Sequence, residues 1–228
     1  MKAVILAGGY GKRLRPLTDS MPKSMVQIAG RPIVEWQLLW LIKHGIDEFI
    51  LCVGYLKDKI INYIGSGQRY NVKVGYVVED EPLGTAGALR NAAHVLARGE
   101  NFFVINGDII TDLSPVSMLG KIGDAIGSIA IVPLPSPYGI IRFDSDMRVK
   151  EFAEKPTLHD YWINAGVYLF KPEVIDYLPE KGDLERETLP VLARQERLIA
   201  SPYREVMWKS LDSHKDLEEA ESILLKAR

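Results

Sequence analysis

Apolar positions in this chain gather into short continuous runs, separated by stretches whose apolar spacing is helical. Ala3-Val4-Ile5-Leu6, Phe49 to Val53, Val72 to Val78, Phe102 to Asn106 and Ser128 to Val132 read as strands. Helices are expected between them, from about Ile33 to His44 and near Asp58 to Ile64, Thr85 to Leu96 and Val116 to Ile122. Pro32 suits the start of the first helix and Gly45 its stop. This alternation predicts an α/β protein, a Rossmann-like three-layer sandwich with a mostly parallel central sheet wound right-handedly. In such sheets ligands bind at the carboxyl ends of the strands. Both the Gly8–Lys23 segment and Asp108 fall there.

Beyond Pro133 the pattern changes to shorter strands and turns. Gly139 to Phe143, a turn at Asp144-Ser145-Asp146 and Val149 to Phe152 form a hairpin, closed by Glu154-Lys155-Pro156. Ile163 to Phe170 is another apolar strand, and Gly166 inside it marks a bulge or a close approach. Helices near Glu173 to Tyr177 and Leu184 to Gln195, a strand near Val206 to Leu211 and a last helix opened by Ser213 complete the chain. Asp216, three residues after Ser213, gives that helix a start close to a capping box. No Gly/Ser/Pro-rich linker, low-complexity tract or internal repeat interrupts residues 1–228, so one domain is expected, the second half elaborating a single sheet. A hexapeptide period is also missing, and a trimer built on such repeats is not expected. Trp36 and Trp40 lie one helical turn apart and belong to the core or to a subunit contact. A homo-oligomer through that face is an open option.

Composition narrows the partners. With 28 basic and 30 acidic residues, the net charge is -2 and the pI about 6.1, so a polyanion such as DNA or RNA is not the expected ligand. Positive charge near the N-terminus is therefore local, which suits a small phosphorylated molecule. Cys52 is the lone cysteine, which excludes an intramolecular disulfide and a multi-cysteine metal site and leaves a packed strand residue. Glycines and charges cut off the first apolar run before a signal peptide can form, and no run reaches the ~18 apolar residues of a membrane span. A cytoplasmic protein is expected. His44, His94, His159 and His214 are scattered without ligand spacing, and none is assigned a role.

The first strand empties into Leu6-Ala7-Gly8-Gly9-Tyr10-Gly11-Lys12-Arg13-Leu14-Arg15-Pro16-Leu17-Thr18, followed by Pro22-Lys23. Glycines let backbone N–H groups approach an oxyanion, and Arg and Lys supply charge-assisted bonds to its oxygens. A dinucleotide fingerprint fails here, because Leu14 stands where the third glycine of G-x-G-x-x-G belongs. A Walker loop fails too, since neither Gly8 nor Gly9 starts G-x-x-x-x-G-K-[ST]. What remains is a glycine-rich loop, with Arg13 and the remote Lys23, that grips a nucleoside triphosphate from two sides.

That loop resembles the N-terminal signature of the sugar-1-phosphate nucleotidyltransferases. The resemblance continues in the family's order through Glu81-Pro82-Leu83-Gly84-Thr85-Ala86-Gly87, Asn106-Gly107-Asp108, Tyr138-Gly139, Glu154-Lys155-Pro156, Asn164-Ala165-Gly166 and Leu211-Asp212. It implies transfer of a nucleotidyl group from an NTP to a hexose 1-phosphate, with pyrophosphate leaving. Alignment, charge neutralisation and a metal serve such a transfer, rather than a protein nucleophile. By resemblance Arg13 grips the leaving pyrophosphate, Lys23 neutralises the reacting phosphates, and Asp108 and Asp212 hold Mg²⁺. Leu6, Ala7, Gly8, Gly9, Gly11, Glu79, Pro82, Gly84 and Thr85 then belong to the nucleotide, and residues to about 133 form the nucleotide-binding half. In the remaining half, from about 134, Lys155 meets the sugar phosphate, Glu154 accepts sugar hydroxyls, and Tyr138, Gly139 and Asn164 line the same pocket. Taken singly, these residues have plainer explanations: surface ion pairs for the cations, a turn and a helix cap for the aspartates, a charged hairpin end for Glu154 and Lys155.

Thymidylyl- and uridylyl-transferring relatives commonly carry Gln near position 79, where this chain has a carboxylate. Guanine alone offers two adjacent donors, N1–H and N2–H₂, that a carboxylate accepts together. This favours GTP, and the Pro82–Gly87 run also resembles mannose-1-phosphate guanylyltransferases, making mannose 1-phosphate the expected acceptor. Glucose-1-phosphate thymidylyl or uridylyl transfer is the alternative within the family. A non-catalytic sugar-nucleotide-binding relative and a dinucleotide-binding oxidoreductase are the alternatives from other classes.

Overall fold

The computed structural model describes residues 1–97 and 99–226. In chain order the strands and helices are β1 (Lys2–Ala7), β2 (Gln27–Ile28), β3 (Arg31–Pro32), α1 (Ile33–Lys43), β4 (Glu48–Val53), α2 (Lys57–Ile64) and β5 (Lys73–Val78). Then follow α3 (Gly84–Asn91), α4 (Ala93–Leu96), β6 (Phe102–Asn106), β7 (Ile109–Thr111), β8 (Gly127–Pro135), β9 (Ile140–Phe143) and β10 (Val149–Ala153). The remainder comprises β11 (Thr157–Phe170), α5 (Leu189–Arg194), β12 (Leu198–Pro202), β13 (Trp208–Ser210) and α6 (His214–Lys226).

A seven-stranded sheet in the order β12-β8-β11-β6-β1-β4-β5 forms the middle layer. Its neighbours pair in parallel except for β11, which runs antiparallel to both β6 and β8. The expected α/β sandwich is therefore what forms, with one reversed strand inside it. Period-two alternation along β1 feeds both outer layers: Ala3, Ile5 and Ala7 pack toward Val34, Leu38 and Leu41 of α1 and Ile60 of α2. Val4 and Leu6 pack on the opposite side, among Leu89 of α3 and Leu192 of α5. Both faces are covered, which is why the strands read as continuous apolar runs. The chain leaves β1 for β4 and β5 on one side, then returns to β6 on the other. That reversal opens a crevice at the carboxyl ends of β1 and β6.

Several elements differ from expectation. The helix expected near Val116 to Ile122 is a single 3₁₀ turn, Pro115–Met118, because Gly120 and Gly123 interrupt it. The helix expected over Thr85 to Leu96 breaks at Ala92 into α3 and α4. The segment Pro172–Tyr177 is 3₁₀, and Leu184–Thr188 is a π-turn before α5, where Pro190 lacks the N–H that a regular ladder needs. Strand β12 was not expected and β13 is shorter than Val206 to Leu211. At the final helix the expected start is present: Ser213 N–H donates to Asp216 Oδ2 at 2.8 Å, and Asp216 N–H reaches back to Ser213 Oγ at 3.3 Å. Trp36 and Trp40 are tied internally, their indole N–H groups donating to Ile28 O and Leu113 O, each at 2.8 Å. Cys52 is buried in β4, and its thiol pKa is pushed up to about 12 by burial, so it is a packing residue.

Where β6 ends, Gly107 lets the chain pass against β1: a Cβ there would lie 2.2 Å from Leu6 O. Backbone must move to relieve such a contact. Gly107→Ala is expected to cost about 2–3 kcal/mol, seen as a fall in melting temperature of ~5–10 °C by calorimetry. An unchanged melting temperature would show that the β1–β6 approach is not a packing constraint.

Candidate active site

The crevice at β1 and β6 holds a cleft of about 320 Å³. Leu6, Ala7, Gly8, Gly9, Tyr10, Lys23 and Ser24 line it from the opening segment, Glu79, Pro82, Gly84, Thr85 and Ala88 from the end of β5 through α3. Asn106, Gly107 and Asp108 line it from the end of β6, and Asp183 from the π-turn region. Thus every residue assigned to the nucleotide from sequence borders one cavity except Gly11. Gly11 stands behind it at φ +60°, where a Cβ would meet Lys23 Cβ at 2.8 Å and Thr18 at 2.9 Å. Its bareness lets Lys23 pass underneath the loop.

Lys23 is the hub of the charged end. Its Nζ donates to Asp108 Oδ2 at 2.8 Å and to Asp212 Oδ1 at 2.9 Å, and its side chain is only 15% exposed. Arg13 Nη2 lies 3.1 Å from the same Asp212 oxygen but is 76% exposed and does not line the cleft. Ser210 Oγ donates to Asp212 Oδ2 at 3.0 Å. Burial acts to raise the Asp212 carboxyl, but the Lys23 hydrogen bond and charge, Ser210 and Arg13 outweigh it and hold the group below its ordinary pKa. Asp212 is therefore a carboxylate at neutral pH.

The two aspartates flank a short ladder, Asp108 just before β7 and Asp212 just after β13. In it β7 pairs antiparallel with β13, Ser210 opposite Ile109, and Leu211 N–H donates to Asp108 O at 2.9 Å. From below, the buried Gln37 amide of α1 donates through Nε2 to Asn106 O and Ile109 O, each at 2.9 Å. These bonds fix both ends of the turn that carries Gly107 and Asp108. Two carboxylates converging within 2.9 Å of one cationic atom already hold a cation, so the residues fit a hard divalent ion whose other ligands are phosphate oxygens and water. No group of three or more His, Cys, Asp or Glu placed to hold a metal ion occurs among the described residues.

At the other end of the cleft Glu79 is 9% exposed, continuing β5 through its N–H bond to Val53 O at 2.8 Å. Its Oε2 accepts the Leu83 N–H at 3.1 Å, while Oε1 has no hydrogen-bond donor among the described residues. A Cβ on Gly8 would come within 2.6 Å of Oε1, so that glycine makes room for the carboxylate. Burial raises the Glu79 carboxyl above its ordinary pKa, against the pull of the Leu83 N–H.

The small residues of Gly84-Thr85-Ala86-Gly87 have a packing cause. A Cβ on Gly84, itself at φ +77°, would lie 2.4 Å from Gly182 O, and one on Gly87 would lie 2.7 Å from Glu180 O. The 180–184 segment therefore sits directly on the start of α3. Ala86 N–H donates to Gly182 O at 3.0 Å, and Leu184 N–H donates to Thr85 Oγ1 at 2.8 Å. This docking brings in two acidic residues missed in the sequence, Asp183 at the cleft wall and Glu185 beside it. Glu185 accepts from Thr85 Oγ1 at 3.1 Å, Tyr168 Oη at 3.1 Å and Asn106 Nδ2 at 3.3 Å. The available signal was the run of small residues itself, which demands a covering backbone.

Residues expected at the sugar phosphate are not in this cleft. Tyr138 is 75% exposed, and Glu154 and Lys155 face each other at 3.7 Å with their side chains 62% and 52% exposed. Gly139 neighbours Glu154, and Asn164 is drawn inward, donating to the buried Tyr168 hydroxyl at 2.7 Å. In β11, antiparallel to β6 with Val167 opposite Ile105, Asn164 lies just before the stretch paired to β6.

Known proteins share the sequence pattern and the fold of this chain. Residues 2–227 match the family model described as Nucleotidyl transferase. A mannose-1-phosphate guanyltransferase from Candida albicans is 36% identical over 226 residues, covering 95% of this chain, and mannose-1-phosphate guanylyltransferase 1 from Arabidopsis thaliana is 39% identical over 210 residues, covering 88%. The chain spans 62% and 58% of those two relatives' lengths. Among solved structures, HddC from Yersinia pseudotuberculosis, complexed with GMP-PN, is 30% identical, with a TM-score of 0.78 over 98% of this chain and 99% of that one. A putative glucose-1-phosphate thymidylyltransferase from Bacillus anthracis shares the fold with a TM-score of 0.77 over 98% of this chain and 94% of that one, at 24% identity. With the cleft, its converging charges and these matches together, the chain belongs to the nucleotidyl transferase family.

Proposed function

We propose that the protein transfers a nucleotidyl group from a nucleoside triphosphate to a hexose 1-phosphate, GTP and mannose 1-phosphate being the favoured pair. The observation that carries this is Lys23, held at 2.8 and 2.9 Å between Asp108 and Asp212 at the charged end of a glycine-rich cleft. Backbone N–H groups of Gly8 and Gly9 face the triphosphate, and Lys23 neutralises charge at the reacting phosphate while Arg13 draws the departing pyrophosphate outward. Asp108 and Asp212 hold Mg²⁺, which when bound supplies further neutralisation of phosphate charge. Lys155 and Glu154 bring the acceptor's phosphate and hydroxyls from the hairpin base. No side chain becomes covalently attached; the protein aligns an acceptor oxygen with the α-phosphorus and stabilises the charge that leaves.

The base preference rests on Glu79. Its free Oε1 and raised pKa describe a carboxylate short of donors, and the guanine N1–H and N2–H₂ edge supplies two. Uracil or thymine would set a carbonyl against it. The two mannose-1-phosphate relatives and the GMP-PN-bound neighbour support the same choice.

Pyrophosphate release, measured for each common triphosphate with mannose 1-phosphate or glucose 1-phosphate, is expected to be fastest with GTP and mannose 1-phosphate. Faster turnover with dTTP or UTP would overturn the assignment of base. Glu79→Gln is expected to lower kcat/KM for GTP by ~10²-fold while leaving UTP little changed.

Lys23→Ala and Asp108→Asn are each expected to reduce turnover by at least about 10²-fold in a folded protein, and near-full activity in either would remove that residue from the mechanism. Chelation should abolish turnover and added Mg²⁺ restore it. Because the Lys23 ammonium occupies the point where both carboxylates converge, Lys23→Met should tighten Mn²⁺ binding to the nucleotide-free protein by about tenfold or more, by calorimetry. Equal Mn²⁺ affinity in the two proteins would show that Lys23 and the metal do not compete.

A further inference from the structure

We infer that the β9–β10 hairpin is a docking surface whose occupant is the same hairpin of a second copy of this chain. The hairpin is a sheet of two strands only, so each strand keeps one unpaired edge. Opposed across it are Ile141 with Phe152 and Phe143 with Val149, and residues directly opposite project to the same face. Lys150 is the extra residue of a bulge between Val149 and Glu151. Without it, Val149 and Phe152, three positions apart, would point to opposite faces. The bulge gathers all four apolar side chains on one side, while the Arg142–Glu151 pair, 3.3 Å apart, takes the other.

This apolar face is bare. Ile141 is 51% exposed, Phe143 58%, Val149 62% and Phe152 63%, with Met147 at the turn 72% exposed. An isolated two-stranded hairpin is marginal in water and is stabilised when an apolar face is covered. Tyr161 of β11 is also exposed, at 64%.

Two observations select a second copy as the cover. Residues 139–155 carry four cations, Arg142, Arg148, Lys150 and Lys155, and four anions, Asp144, Asp146, Glu151 and Glu154. A strongly basic or acidic partner, or an anionic membrane, would find no net charge to recognise. With Arg142–Glu151, Lys150–Asp144 and Lys155–Glu154 paired inside the hairpin, a two-fold pairing sets a net-neutral apolar face against its own copy, as an isologous contact does. Area is also in proportion. Two phenylalanines at ~150–250 Å² each, with the aliphatic side chains and the turn, expose on the order of 600 Å², near the ~800 Å² per partner of a stable interface. The Trp36–Trp40 face, considered from sequence as a subunit contact, has its indole N–H groups engaged within the chain. The hairpin is the better candidate. Because it leads directly into Glu154 and Lys155, the contact would also steady the base of the hairpin.

Sedimentation velocity and light scattering of the full chain from about 1 to 100 µM are expected to give twice the 25.6 kDa chain mass. Phe143→Asp and, separately, Val149→Lys are each expected to weaken association by at least about 100-fold, leaving one-chain mass across that range with unchanged circular dichroism and melting. Both side chains are exposed, so a folding failure in both variants is not expected. A wild-type protein of one-chain mass throughout would overturn the inference and leave the face to another molecule. A dimer unmoved by either substitution would overturn it too, placing the contact elsewhere.

Discussion

One cation held between two carboxylates organises the working end of this protein. Lys23 comes from the N-terminal segment, Asp108 from the turn after β6 and Asp212 from the segment before α6, and the ammonium lies 2.8 and 2.9 Å from the two acids. Acidic side chains brought this close repel each other unless something positive sits between them. Lys23 supplies that charge, and Gly11 gives its stem a path. Much of the surrounding structure defends the arrangement: Gln37 grips both ends of the Asp108 turn, the β7–β13 ladder ties the two aspartates together, and Ser210 occupies the remaining oxygen of Asp212. Arg13 reaches the same carboxylate from solvent and is the more exposed of the two cations.

Two kinds of constraint meet in the glycines. At Gly8 and Gly107 a Cβ would strike the neighbouring carboxylate or backbone, so those positions are bare because parts of the protein approach one another. At Gly84 and Gly87 the approaching group is the 180–184 backbone. A glycine-rich motif thus serves tertiary packing here, a use that its sequence alone does not distinguish from phosphate contact.

This overlap explains which parts were legible. The central strands stood out because burial on both faces makes them unbroken apolar runs, and β6 appears with the expected bounds, Phe102 to Asn106. Strand β12, Leu-Ile-Ala-Ser-Pro at the sheet edge, is short, half-exposed and ends in proline, and its pattern carries no strand signal. The helix expected at Val116 to Ile122 followed apolar spacing that Pro115, Gly120 and Gly123 override. In the site, the opening loop was legible because its glycines and cations are contiguous. Asp183 and Glu185 were not, since they reach Thr85 and Asn106 only through contacts 79 to 100 residues apart in the chain.

The reversed strand β11 has a consequence for how the chain is divided. Parallel strands deliver to the ligand edge the residues that follow them, as β1, β5 and β6 do with Gly8, Glu79 and Asp108. A strand running the other way delivers the residues that precede it. The segment from Tyr138 through the hairpin to Lys155 therefore leaves the sheet at that edge before β11 enters the core, whereas Asp183, Glu185 and Asp212 come to it after β11. Residues 136–156 form a removable cassette in the topological sense. Lengthening or rewriting it leaves every pairing of the central sheet from β1 to β6 in register, so the hairpin can diversify while the glycine-lined cleft stays fixed.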